Sequence, residues 1–241
     1  MSVTFKDGTL IINTKKSPDY VRKFLRAHEP WRHKLLFSNG ISTLDFKTVE
    51  PMQQYPLRKI QLVEQILGPL SGYKRVLDVG SNAGYNSIYL AEMYGTKTLG
   101  IDFWHRHIEV SKKLARLSDV RRCRFVQANA ETFTDKKGFD LIIHFGTLYH
   151  LKNPVLALET ALKNLRPGGL MLLGTQTYGQ RDETRAAFIN GLGGDKSNWW
   201  ALGEASIVQI CKIIGAKAEP IGDRFPLKIA DQYRVLMQIR K

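Results

Sequence analysis

Asp78, Gly80, Gly84 and Asp102 stand at spacings suited to one task, holding a nucleoside-bearing cofactor. They lie in Val76-Leu77-Asp78-Val79-Gly80-Ser81-Asn82-Ala83-Gly84-Tyr85-Asn86-Ser87, followed by Gly100-Ile101-Asp102-Phe103. The segment reads as an apolar strand, a glycine-bearing turn opening a helix, and a second strand that ends in an acid. Asp102 lies 22 positions beyond Gly80, where a carboxylate at the tip of the second strand reaches ribose hydroxyls. Glycine at 80 and 84 lets the backbone pass close to a ligand, where a Cβ would collide. Asn82 occupies the place of the second glycine of the dinucleotide fingerprint, so a pyrophosphate is harder to seat. A βα turn without a ligand is the alternative. The joint presence of turn, helix and distal acid favours a cofactor.

With Asp78 two residues before Gly80, the loop resembles the D-x-G-x-x-x-G cofactor loop of class I S-adenosylmethionine (SAM) methyltransferases. The resemblance implies that Asp78 holds the methionine end of SAM and that Ser81, Asn82 and Phe103 also contact the cofactor. It also implies that Gln127-Ala128-Asn129-Ala130-Glu131, ending the third strand, meets the adenine. An acid often stands at the place of Asn129, whose amide would serve the exocyclic amine; a polar loop cap is the alternative.

Methyl transfer from a sulfonium is an in-line displacement, in which alignment and exclusion of water supply most of the rate. Substrate-orienting groups belong at the carboxyl ends of strands, where His144-Phe145-Gly146-Thr147-Leu148-Tyr149-His150-Leu151 falls. Phe145 would line the cofactor, Tyr149 can donate a hydrogen bond, and His150 can accept a proton. One of the two histidines serves better as a structural bridge than as a base. Ser197-Asn198-Trp199-Trp200 places adjacent tryptophans in a linker, either as a packed lid or stacked on a substrate. Arg234, on an otherwise apolar strand, points outward or clamps an anion. His105 and His107 are two apart on a presumed helix, too divergent for one ion, and no metal site is expected.

The elements that must carry these groups alternate. Strands are expected at Val3–Phe5 and Thr9–Ile12, joined by a turn at Lys6-Asp7-Gly8. A helix then starts at Ser17-Pro18 and ends before Pro30. Irregular chain runs to Pro51, and an amphipathic helix over 56–68 turns Leu57, Ile60, Val63, Ile66 and Leu67 to one face. Strands at 76–79, 97–101, 123–127, 139–145 and 170–174 alternate with helices at 84–94, 105–117 and 153–165, the last closed by Arg166-Pro167-Gly168-Gly169. A polar linker, a helix at 204–215 and a final strand at 233–239 follow. Such alternation gives a doubly wound, mostly parallel sheet.

Among 241 residues, 43% are hydrophobic, enough for a full core. No apolar run approaches the ~20 residues needed to span a bilayer, and Met1 to Leu10 lacks an apolar signal core, so no membrane contact and a cytoplasmic location are expected. Cys123 and Cys211 suit packed thiols. Lysine and arginine number 36 against 22 acids, a formal charge of +14. That excess favours a polyanion such as RNA. It concentrates between Lys15 and Lys34 and between Arg106 and Arg124, where solvated helix faces are the plainer account.

The chain also resembles the bacterial tRNA wobble-uridine carboxymethyltransferase family, which transfers a carboxymethyl group from carboxy-SAM to 5-hydroxyuridine. The similarity rests on Pro30-Trp31-Arg32 with Phe37-Ser38, the Asp78 loop, Gly146-Thr147-Leu148-Tyr149-His150 with Asn153-Pro154, and the C-terminal strand. It implies that Tyr149 and Arg234 hold the donor's carboxylate or lie beside it. After Pro-Trp-Arg the family has lysine; here stands His33, followed by Lys34. A tryptophan- and lysine-rich stretch is replaced by Val49 to Pro56. The fixed cation is lost, although a partly protonated His33 would replace some of it. Plain SAM is therefore the expected donor.

Together these observations predict an α/β, doubly wound, Rossmann-like seven-stranded sheet with an N-terminal helical and hairpin extension. Residues 1–70 would be the extension or lid and 71–241 the SAM-binding domain. Asp78, Gly80, Ser81, Asn82, Gly84, Asp102, Phe103, Asn129, Ala130, Glu131 and Phe145 would bind the cofactor. His33, Tyr149, His150 and Arg234, with Trp200, would face the acceptor. The expected activity is SAM-dependent methylation of a small-molecule acceptor. Alternatives are methyl or carboxymethyl transfer to a tRNA wobble uridine, cyclisation of SAM with release of methylthioadenosine, and a non-catalytic RNA-binding module.

Overall fold

The computed structural model describes residues 3–6, 9–48, 55–189, 191, 195–227 and 231–241. In chain order the elements are β1 (Val3–Lys6), β2 (Thr9–Ile12), α1 (Pro18–Ala27), β3 (Leu35–Phe37), α2 (Tyr55–Leu67), β4 (Arg75–Val79), α3 (Tyr85–Tyr94), β5 (Lys97–Asp102), α4 (His105–Leu117) and β6 (Cys123–Gln127). They continue as β7 (Phe139–Phe145), α5 (Pro154–Asn164), β8 (Leu165–Tyr178), β9 (Ala186–Phe188), β10 (Trp200–Leu202), α6 (Glu204–Ile213), β11 (Lys217–Pro220), β12 (Phe225–Pro226) and β13 (Gln232–Arg240). The chain falls into two compact units, one of residues 1–74 and 81–127 and the other of 75–80 and 128–241.

In the first unit, β1 and β2 pair antiparallel and β3 adds parallel to β2, with Leu10 opposite Leu35 and Ile12 opposite Phe37. Those four side chains are fully buried. Asp7 and Gly8 of the expected turn, and residues 49–54, lie outside the described residues. Helix α1 starts as its sequence dictates: the Ser17 hydroxyl accepts from the Tyr20 N–H at 3.3 Å and Pro18 fills the first turn. Its buried edge, Val21, Phe24 and Leu25, meets Trp31, whose indole N–H donates to the Leu25 carbonyl at 2.9 Å. Strands β5 and β6 run parallel, with Asp102 opposite Gln127 at their carboxyl ends. Helix α4 buries Ile108, Ser111, Leu114 and Ala115.

In the second unit the strand order is β11-β13-β8-β7-β4. Strands β4, β7 and β8 are mutually parallel, whereas β13 is antiparallel to both β8 and β11. Helix α5 begins with Asn153, whose side chain accepts from the Leu156 N–H, and Pro154 follows it.

Several expectations need correction. The stretch before Pro51 holds strand β3, short and without alternation, recognisable only through its partner β2. Ile66 on α2 is exposed, whereas Ile60 and Val63 are buried. Strand β8 covers Leu165–Tyr178 rather than 170–174: Leu165 opposite Phe139 already pairs, then Arg166-Pro167-Gly168-Gly169 bulges before Leu170 pairs with Leu141. The polar linker contains β9 and β10, which pair with each other, β10 also pairing with β8. Strand β11 was not expected; it is read from its ladder on β13.

The 135–140 turn is held from two sides. The Arg75 guanidinium forks onto Asp135 at 3.1 and 2.8 Å, donates to the Gly138 carbonyl, and lies 4.3 Å from the Phe139 ring centroid. Arg166 donates to Asp140 at 2.6 Å, and the Arg75 N–H to the other Asp140 oxygen at 2.9 Å. Arg75 holds the Asp135 carboxyl below the usual carboxylate range. We expect Arg75→Ala to lower the unfolding free energy by about 1.5–3 kcal/mol in denaturant titrations. Because the Asp135 carboxyl is depressed in the folded state, that difference is present above the ordinary carboxyl range and shrinks as pH falls through it. Arg121→Ala, which removes an exposed partner of Asp119, should change stability by less than about 0.5 kcal/mol.

Candidate functional site

Between β4 and α3 the chain turns through left-handed geometry, with Gly80 at φ 71°, Asn82 at φ 49° and Gly84 at φ 82°. Glycine tolerates this conformation, and asparagine adopts it more readily than most residues. The Asn82 side-chain oxygen accepts from the Ala83 N–H at 2.8 Å, stabilising the turn locally.

The first unit holds this turn against β5. The Ser81 N–H donates to the Ile101 carbonyl, and the Asn82 N–H donates to Asp102 Oδ2 at 2.9 Å. Asp102 Oδ1 accepts from the Trp104 N–H at 2.9 Å and lies 3.0 Å from His107 Nδ1. An ionised carboxylate accepts only, so the His107 ring proton sits on Nδ1. Three bonds use three of about four lone-pair sites, and the remaining one is on Oδ2. The carboxylate therefore fits a further hydroxyl donor. Phe103 and Trp104, at the tip of β5, are 63% and 64% exposed and form an edge-to-face pair.

The glycines correct one expectation. A Cβ on Gly84 would meet Phe125 at 2.7 Å and Ser111 at 3.0 Å, and one on Gly80 would meet Thr147 Oγ1 at 2.0 Å. Protein packing and the left-handed φ together exclude a side chain at both positions.

His33 lies next to the turn, its ring stacked on Tyr85 at 5.2 Å and 14°. Its Nδ1 is buried without a hydrogen-bond partner. Burial first, then the charges of Lys59 and Arg32 and the His107 ring, push its pKa down to about 3. His33 is therefore neutral at physiological pH, and the partial cation expected there is absent.

The second unit carries the other residues. Asp78 is buried on β4, opposite Ile143 of β7. The Thr147 hydroxyl, which fills the space beside Gly80, donates to the Val79 carbonyl at 3.1 Å. Phe145 is buried opposite Gly174. Tyr149 is buried, its ring 4.5 Å from that of His150, and its carbonyl accepts from the Trp199 N–H. His150 Nδ1 lies 3.0 Å from the Ser197 carbonyl and 3.1 Å from its hydroxyl, so this histidine bridges to the 195–199 loop. His144 is fully buried on β7 with neither ring nitrogen bonded, and burial pushes its pKa down to about 4.

Asn129 and Glu131 are occupied locally. The Asn129 side-chain oxygen accepts from the Glu131 N–H at 2.9 Å, and Glu131 Oε1 accepts from the Asn153 N–H at 2.8 Å at the start of α5. Ala130 sits half-exposed between them. Trp200 donates to the Lys152 carbonyl and packs edge-on against Phe188. Arg234 of β13 stands opposite Gln176 of β8. Cys211 is buried with its pKa pushed up to about 12, and Cys123 donates to the Ser87 carbonyl.

His107 and Thr147 are the contributors that sequence reasoning missed. The signal for His107 is its place in the first turn of α4, five positions after Asp102; for Thr147 there is none short of the packing. Among the described residues, no His/Cys/Asp/Glu group of three or more could hold a metal, and no helix is long and apolar enough to cross a membrane.

Residues 70–195 match the family model described as "Methyltransferase domain". The tRNA U34 carboxymethyltransferase of Idiomarina loihiensis is 30% identical over 180 residues, covering 73% of this chain and 55% of that protein. The ubiquinone biosynthesis O-methyltransferase of Leptothrix cholodnii is 28% identical over 127 residues, covering 52% and 53%. The chain thus spans about half the length of these curated relatives. Among solved structures, the N-terminal domain of EvdMO1, crystallised in the presence of S-adenosylhomocysteine (SAH) and D-fucose, superposes with a TM-score of 0.72 at 17% identity, covering 98% of this chain and 99% of that one.

Two tests follow from the geometry. Gly80→Ala combines a collision with Thr147 and an unfavourable φ, and should lower stability by about 1–3 kcal/mol, measured by thermal unfolding; Thr147→Ala in the same chain should recover the collision component alone. Since His33 and His144 have folded pKa values below the ordinary histidine value, the unfolded chain binds more protons between about pH 4 and 6.5. Stability should therefore fall on acidification through that window, by up to about 1.4 kcal/mol per pH unit for each histidine. Replacing His144 by Leu should flatten the acid limb of the stability–pH curve.

Proposed function

The chain belongs to the methyltransferase-domain family, and on that premise we propose that it binds SAM at the 78–84 turn and transfers the methyl group to a small-molecule acceptor. Its fold is the Rossmann-like α/β fold of class I methyltransferases. The observation that carries the proposal is Asp102: a buried carboxylate at the end of β5, locked by Asn82, Trp104 and His107, with one acceptor site left on Oδ2.

The sulfonium of SAM supplies an activated methyl group and leaves as SAH. In this proposal Asp102 accepts from a ribose hydroxyl, Asp78 holds the methionine end, and Gly80 to Gly84 set the turn beside it, with Ser81 and Asn82 within that turn. Asn129, Ala130 and Glu131 with Phe103 border the adenine, and Phe145 lines the cofactor. Tyr149, His150, His33 and Arg234, with Trp200, orient the acceptor and exclude water. A new bond forms between the acceptor's nucleophile and the methyl carbon as the carbon–sulfur bond breaks, and any proton on the nucleophile goes to solvent. The neutral state of His33 favours plain SAM over a donor with an extra carboxylate, because no charge is held at that position. In this proposal residues 1–70 are the extension and 71–241 the catalytic domain.

A second proposal is methyl or carboxymethyl transfer to tRNA. It is supported by the +14 charge and by the relative named tRNA U34 carboxymethyltransferase.

The test is mass spectrometry of the purified protein incubated with SAM, alone, with a small-metabolite extract, or with bulk tRNA. SAH formed with the extract and not with tRNA is the expected outcome. Tritium-free mass gain on a wobble nucleoside, with SAH only when tRNA is present, would replace the small acceptor by RNA. Methylthioadenosine from SAM alone would make the cofactor itself the substrate, and failure to bind SAM would leave a non-catalytic module.

A further inference from the structure

At the carboxyl end of β8 a polar row interrupts an otherwise apolar sheet face. A Cβ at Gly174 would lie 2.9 Å from Phe145 and 3.1 Å from Leu236, so these three positions share one face. Side chains alternate along a strand. The same face therefore continues through Gln176 and Tyr178 on β8, and through Arg234 and Gln232 on β13. The ladder sets Gln176 opposite Arg234 and Tyr178 opposite Gln232.

Gln176 and Gln232 are each only 8% exposed, and the side-chain oxygen of each is buried with no hydrogen-bond partner. Leaving a buried acceptor unsatisfied costs about 1–3 kcal/mol, and the two belong to diagonal positions of one strand pair, close enough for long side chains to share one ligand. Each orphaned oxygen requires an O–H or N–H donor. The amide N–H groups of the same two side chains offer donors beside them. Phe225, paired with Arg234 and 44% exposed, adds an aromatic edge.

We infer that Gln176 and Gln232 form the specificity site for a polyhydroxylated, sugar-like acceptor. A hydroxyl both donates and accepts, so neighbouring hydroxyls on a saturated ring satisfy the two orphaned oxygens and the adjacent N–H groups together. The carbon–hydrogen face of such a ring suits the flanking Phe145 and Phe225. The row lies at the end of β8 that pairs with Phe145, where ligands of open α/β sheets gather. This inference deepens the methyl-transfer proposal and rests on it.

The experiment uses the full chain loaded with SAH, and saturation-transfer NMR with D-fucose, D-glucose and, as an amide-edged ring without hydroxyls, uracil. Titration of SAH by calorimetry is run separately on every variant. At least one sugar should bind the wild-type chain. Gln176→Leu and Gln232→Leu should each weaken it by about tenfold or more, equivalent to about 1.4 kcal/mol, with unchanged SAH affinity. Gln176→Glu, which keeps an acceptor oxygen, should retain more binding than Gln176→Leu; it also carries the test if the leucine variant fails to fold. The inference is overturned if neither sugar binds the SAH-loaded chain, if both leucine variants bind as the wild type does, or if uracil alone binds. A wild-type chain that does not bind SAH would instead defeat the methyl-transfer proposal, whatever the sugars do.

Discussion

The Phe125 ring occupies volume that side chains at two other positions would need. It sits 2.7 Å from where a Cβ on Gly84 would be and 2.6 Å from where one on Gly100 would be, with Ser81 at 2.9 Å from the latter. A rigid aromatic wedge of this kind brings the turn after β4 against the middle of β5, because only bare backbone fits beside it. The Ser81-to-Ile101 and Asn82-to-Asp102 hydrogen bonds follow from that proximity. Fixing Asp102 in turn fixes the start of α4 through Trp104 and His107. Much of the first unit's candidate chemistry thus depends on a close approach between one ring and two glycines.

How much of this is legible in the sequence depends on how local each cause is. Helix α1 announces itself through Ser17-Pro18 and its apolar spacing, and β5, β6 and β7 match their expected bounds closely, because capping and strand composition act within a few residues. Strands β3, β9 and β11 escape notice because they hold three or four residues each, and their partners lie elsewhere in the chain. The start of β8 is concealed for a different reason: Pro167-Gly168-Gly169 reads as a stop, yet the ladder resumes beyond it.

The candidate site divides in the same way. Asp78, Gly80, Gly84 and Asp102 stand out from their spacing, which is covalent information. The collision of Gly80 with Thr147 is not, since it joins positions 67 residues apart. Charge is similarly concealed. A histidine in sequence is an even prospect for protonation near neutral pH, but the burial of His33 and His144 settles both as neutral rings. The chain's excess positive charge is thus carried by lysine and arginine, such as the exposed Arg22, Lys23 and Arg26 of α1.

The bulge in β8 has a consequence for the tolerance of the fold to length changes. Between the two paired positions, the single β7 residue Asp140 is matched by four residues of β8, Arg166 to Gly169, so the connection already holds slack that the sheet does not use. At its tip, Gly168 has open space where a side chain would project. Extra residues placed there would lengthen a loop without slipping the register on either side, which makes it a natural point of insertion and a convenient attachment site for a reporter group.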